Sequence, residues 1–172
     1  MHGHSLLDLE KPRDSAKLID TSRRMADFLR AGNPKVLLYL TATWSRADQT
    51  YPASGAWAGQ PIEAMARDLR AAYDKAGDAA SAKSVLPVGE AWTRAMQSGV
   101  ADANPYDGVE AGRINLWTYD HYHASAHGYY LEALVVFGSL TGRDPRSLGE
   151  NECSAYELGL SRPQVKALQQ IA

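Results

Sequence analysis

Apolar positions recur at helical spacing over residues 14–30, where Leu18, Ile19, Met25, Phe28 and Leu29 form a stripe and Arg23 and Arg24 face away. Gly32, Asn33 and Pro34 supply a C-cap and then a residue that cannot continue the helix. Residues 35–42 (KVLLYLTA) are a near-continuous apolar run, the mark of a parallel strand buried on both faces. Residues 43–60 show no period. A helix is predicted over 61–75, with Pro61 at its first position and Ile62, Met65, Leu69 and Tyr73 on one face. A short strand follows at 84–88, then a short helix at 90–97 closed by Gly99 and a turn-rich loop at 104–112. Residues 114–117 read as a short strand or an extended segment. Residues 123–140 form a strongly apolar helix (LEALVVFGSL) whose single interior charge is Glu132, so most of its circumference is expected to be buried. Thr141-Gly142 stops it, and a last helix spans 162–171 with Pro163 near its start.

The order helix, strand, helix, strand, helix, helix predicts an α/β fold. The expected form is one domain over residues 1–172: a three-layer, flavodoxin-like sandwich with a short parallel sheet between helices. The two strands should be neighbours, with the 61–75 helix crossing between them. Alanine (27 residues) far outweighs valine and isoleucine (12 together), which also favours helices. Two strands are few for a covered parallel sheet, so the domain is expected to lack its first strands. The sheet edge left open would then pair with a second copy of the chain as a homo-oligomer.

Charge narrows the partners. Eighteen Lys+Arg against 20 Asp+Glu give a net charge of −2, which lacks the basic excess that nucleic-acid binding needs. No run of 18 apolar residues spans a membrane. The opening MHGHS has neither the basic nor the apolar region of a signal peptide, so an exported location would require a leader upstream. One cysteine, Cys153, excludes an internal disulfide framework and reads as a structural thiol.

The densest polar cluster is residues 119–130, YDHYHASAHGYY. Asp120 and His123 stand three apart just before a helix. In one reading the Asp120 carboxylate folds back to accept the Nδ1 proton of His123, leaving Nε2 free as a general base. In another, Asp120 only caps the helix. In a third, His123 and His127, four apart on a helix face, join His121 as the ligands of a metal-dependent hydrolase; the missing Glu between the pair argues against it.

The series Asp120-x-x-His123, Ala124-Ser125, Gly128-Tyr129-Tyr130-Leu131 and Thr141-Gly142 resembles the C-terminal block of SGNH (GDSL-type) hydrolases. The match in order runs from about Lys35 to Gly142. The resemblance implies a three-layer α/β domain and an esterase that uses no cofactor. It makes His123 the general base and Asp120 its orienter, with a serine near the domain's start as nucleophile. The substrate would be an ester of a small molecule or a carbohydrate. This sequence departs from the pattern at the nucleophile. Gly3-His4-Ser5-Leu6 superficially matches the family's G-D-S-L, but no strand precedes Ser5 to hold it on a tight turn. The serine block is therefore expected upstream of Met1.

The loop at 43–60 leaves the C-terminal end of the first strand, where open α/β sheets place their ligands. Trp44, Arg46, Tyr51 and Trp57, joined by Trp117 just before the dyad, are candidates for a pocket wall, with Arg46 meeting an anionic or sugar-like group. The same aromatics equally suit a loop pinned by packing. The rival to an enzyme is a non-catalytic domain that binds a carbohydrate or protein partner through this loop.

Overall fold

The computed structural model describes Lys11 and residues 13–172. Among these residues the chain is mixed α/β, with seven α-helices, one 3₁₀ turn and a two-stranded parallel sheet. In chain order the elements are α1 (Ala16–Gly32), β1 (Tyr39–Ala42), α2 (Ala47–Thr50), α3 (Glu63–Ala79), β2 (Ser84–Pro87), α4 (Val88–Gln97) and α5 (Ala126–Thr141). The 3₁₀ turn Pro145–Leu148, α6 (Cys153–Glu157) and α7 (Arg162–Ile171) complete the chain.

β1 and β2 pair in parallel, Tyr39 opposite Ser84 through Ala42 opposite Pro87, and α3 connects them. β1 is shorter than the apolar run that predicts it. Asn33 bends the start of that run into a turn: its carbonyl accepts from Val36 N and its side chain from Lys35 N. Side chains alternate across a strand, so Leu40 and Ala42 share one face of β1. They pack there with Leu18 of α1 and with Met65, Leu69 and Tyr73 of α3.

A second and larger core gathers around Trp92 of α4. It joins Trp44 and Ala47 from the exit of β1, Leu116 and Trp117, Leu131, Leu134 and Val135 of α5, and Val165 and Leu168 of α7. The predicted strand at 114–117 is reduced to single bridges, Ala101 with Ile114 and Trp117 with Ala124. α2, which lies in the predicted loop at 43–60, the 3₁₀ turn and α6 escape prediction, because segments of four and five residues are too short to show a period.

α5 begins three residues later than the apolar pattern suggests. Ser125 is its N-cap: the hydroxyl accepts from Gly128 N and donates to the carbonyl of Asn115. Gly142, in the left-handed region at φ 68°, closes the helix. Gly128 is where α5 meets α4. A Cβ there would strike the Leu116 carbonyl and lie 2.6 Å from the Trp92 ring.

Two glycines of α5 therefore separate packing from propensity. Gly128→Ala should lower unfolding stability by about 2–3 kcal/mol through overpacking. At Gly138 a Cβ would meet nothing nearer than 3.4 Å. Substitution there by Ala should gain about 0.5–1 kcal/mol. Urea unfolding of the two variants measures both signs.

Candidate functional site

Residues 118–123 form a tight loop closed by the Trp117–Ala124 bridge. Thr118 N donates to the carbonyl of His123 at 2.8 Å, and His121 N donates to the carbonyl of Thr118 at 3.0 Å. His121 takes φ 56°, a left-handed conformation that β-branched residues resist and histidine tolerates. The loop places Asp120 beside His123, with Asp120 Oδ2 2.6 Å from His123 Nδ1.

The two carboxylate oxygens divide their work. Oδ1 accepts three hydrogen bonds, from the Thr118 hydroxyl at 2.7 Å, Tyr122 N at 3.0 Å and His123 N at 2.9 Å. Oδ2 is thereby directed at the imidazole. Asp120 does not cap α5; Ser125 does. The Thr118 hydroxyl, then the His123 ring and the Tyr122 amide, hold the Asp120 carboxyl well below the ordinary carboxylate range. It stays charged throughout the range in which histidines exchange protons. The His123 side chain is 58% exposed, so its ring stands at the surface.

The exit of β1 clamps this loop from beneath. Trp44 Nε1 donates to the Tyr122 carbonyl at 3.0 Å, and Asp48 N donates to the His121 carbonyl at 3.3 Å. Trp117 Nε1 donates in return to the Ser45 carbonyl at 3.0 Å. The Arg46 guanidinium lies 3.6 Å from the centre of the Tyr122 ring, and that ring lies 4.2 Å from the ring of His123.

The residues expected to wall a pocket take other places. Trp57 is fully buried in the α1–α3 core, and its indole N–H donates to Asp68 at 2.8 Å. Trp117 is 1% exposed and Trp44 7% exposed, and both pack against Trp92. The indole rings thus satisfy the hydrophobic core first, and two of them use their N–H groups to hold the loop. Arg46 is held by Asp48 in a two-pronged ion pair at 2.9 and 2.6 Å, so its charge is directed at that carboxylate and the Tyr122 face. Tyr51 donates to the Ala103 carbonyl at 2.6 Å, and its phenol is pushed up to about 12 by burial and then by the charge of Asp107.

The three histidines do not converge. Among the described residues, no three His, Cys, Asp or Glu side chains are arranged to hold one metal ion. His121 instead packs its ring 4.4 Å from that of Tyr106, with Nδ1 buried and unpaired, and His127 buries Nε2 without a partner. Ser5 lies outside the described residues. The His123 ring contact that carries the pairing is with Asp120. No helix among the described residues is long and apolar enough to cross a membrane. No protein-family model, curated protein or solved structure matches the chain.

Sequence reasoning missed Thr118, Ser45 and Asp48 as positioning residues. For Thr118 a signal was present in its spacing two residues before an aspartate, the pattern of a hydroxyl that bonds a nearby carboxylate.

The carboxyl supports the fold only while it is ionised. Its lowered titration means that its contribution is complete above the ordinary aspartate range and is lost as pH falls through the lower, folded-state value. In Thr118→Val the strongest donor is gone, so the Asp120 carboxyl should titrate closer to an ordinary aspartate. A ¹³C titration of the side-chain carboxyl reads the shift directly. Identical titration in the two proteins would exclude the hydroxyl as its cause.

Proposed function

We propose that this chain is part of a serine ester hydrolase of the SGNH type, with His123 as general base and Asp120 as the group that orients it. The pairing of His123 Nδ1 with Asp120 Oδ2 at 2.6 Å carries this reading, because the other carboxylate oxygen is separately occupied. A carboxylate fixed in this way holds one imidazole nitrogen and leaves the other for proton transfer. The parallel β1–α3–β2 unit and the helices around it support the finer expectation of a three-layer sandwich.

In the proposed reaction a serine Oγ attacks the ester carbonyl while His123 Nε2 accepts its proton. The imidazolium then gives that proton to the departing alkoxide, which leaves as the alcohol. Water repeats the sequence on the acyl-enzyme and releases the acid. Asp120 stabilises the imidazolium without taking the proton. The nucleophile is a serine outside the described residues, and Ser5 is the candidate that the sequence itself offers. The substrate class is an ester of a small molecule or a carbohydrate, and the reaction uses no cofactor.

The test is labelling by a fluorophosphonate, which traps an activated serine, in the full-length protein. One serine should be labelled and identified by peptide mapping. His123→Ala should abolish labelling and the hydrolysis of p-nitrophenyl acetate. Asp120→Asn should slow turnover by about 10³–10⁴-fold, because the amide favours the wrong tautomer. Labelling that proceeds equally without His123, or no labelling at all, would leave the non-catalytic binding domain as the better reading.

A further inference from the structure

The bond to Asp120 does not by itself fix the direction in which His123 faces. An imidazole turns about two side-chain bonds, and the torsion next to the ring has broad minima. One hydrogen bond at Nδ1 constrains one combination of the two torsions and leaves the ring plane free to rock about the line from Nδ1 to Oδ2. The lone pair of Nε2 turns with that plane. His123 is 58% exposed, so packing in the core supplies little of the missing restraint.

The ring of Tyr122 supplies a second contact. Its centre lies 4.2 Å from that of the imidazole, with the planes 35° apart. In this tilted stack the phenol ring stops the imidazole from rocking toward it, and dispersion between the rings opposes rocking away.

Tyr122 can act as a stop because it is itself held. Its N–H donates to Asp120 Oδ1 at 3.0 Å, and its carbonyl accepts from Trp44 Nε1 at 3.0 Å. The Arg46 guanidinium lies over its ring, 3.6 Å from the centre, well within the range of cation–π attraction. Arg46 is in turn gripped by Asp48 at 2.9 and 2.6 Å, and the two side chains are only 15% and 23% exposed. Asp48 N donates to the His121 carbonyl, and the Arg46 carbonyl accepts from the Thr50 hydroxyl at 3.1 Å. The contacts therefore run from α2, through Arg46 and Tyr122, to the imidazole. Asp48 offsets the guanidinium charge, so the stack brings no net charge to the ring.

We infer that Tyr122, backed by the Arg46–Asp48 pair, is a positioning residue for His123: its ring fixes the plane of the imidazole and hence the direction of Nε2. Asp120 selects the nitrogen that is held, and Tyr122 selects where the other nitrogen points. The catalytic consequence rests on the ester-hydrolase reading, whereas the ordering of the ring does not.

The test is ¹³C relaxation of the His123 ring Cε1–Hε1 bond in the full-length protein, beside the hydrolysis of p-nitrophenyl acetate. The bond should be as ordered as rigid backbone, with an order parameter of about 0.85, and should fall below about 0.6 in Tyr122→Leu. The Nδ1 shift should stay the same in that variant, because Asp120 still holds that atom. Tyr122→Phe, which keeps the ring and loses the hydroxyl, should restore the order. Arg46→Met, which removes the cation from the stack, should lower it, and it reads the same restraint should Tyr122→Leu fail to fold. In Tyr122→Leu kcat should fall about 10–100-fold with KM little changed, and Tyr122→Phe should recover it. An imidazole equally ordered in Tyr122→Leu, or disordered in Tyr122→Phe, would overturn the inference. Loss of the Nδ1–Asp120 bond together with the order would also overturn it, since Tyr122 would then only support the loop. If the wild-type protein hydrolyses no ester, the hydrolase reading falls, while the order parameters still decide whether Tyr122 fixes the ring.

Discussion

The indole of Trp92 is the contact on which the larger core and the loop beside it converge. It stacks on Trp44 at 4.6 Å with the planes 8° apart, and it meets Trp117 edge-on at 5.4 Å with the planes 68° apart. Gly128 brings α5 against its edge, with no room for a Cβ. Burying one such ring contributes about 4–6 kcal/mol by area. Trp92 Nε1 is buried without a partner, which costs about 1–3 kcal/mol. The packing term wins, and it ties the exit of β1, α4, the loop after residue 116 and the start of α5 into one unit.

That unit is what gives a surface loop a defined shape. Trp44 and Trp117 each bury the ring and direct the N–H to a backbone carbonyl of the other segment, Tyr122 and Ser45 respectively. The loop at 118–123 is therefore held by groups whose own positions are fixed by the core. Asp120 completes the arrangement from within, one oxygen gathering the loop's donors and the other facing His123. An exposed histidine on an otherwise free loop would sample many orientations; here its partner is already fixed. Preorganisation of this kind is what a general base requires.

The dyad was legible because its geometry is local: a three-residue separation ahead of a small, cap-forming Ala-Ser pair leaves few ways to arrange the two side chains. β1 and α3 were legible because a long apolar run and a helical period override local detail. The tryptophans were ambiguous for a physical reason. Trp57 and Trp117 have the same composition of neighbours whether they wall a pocket or fill a core, and only the tertiary contacts to Asp68 and Ser45 decide. Arg46 reads as a free cation in sequence, yet Asp48 two residues on neutralises it.

Asp120 fixes the imidazole of His123 in the tautomer expected to leave Nε2 able to accept a proton. Long-range ¹H–¹⁵N correlation of the neutral histidine ring reads this without any substrate. Nδ1 of His123 should carry the proton, and Nε2 should show the shift of an unprotonated nitrogen. A neutral ring with its proton on Nε2 would contradict it.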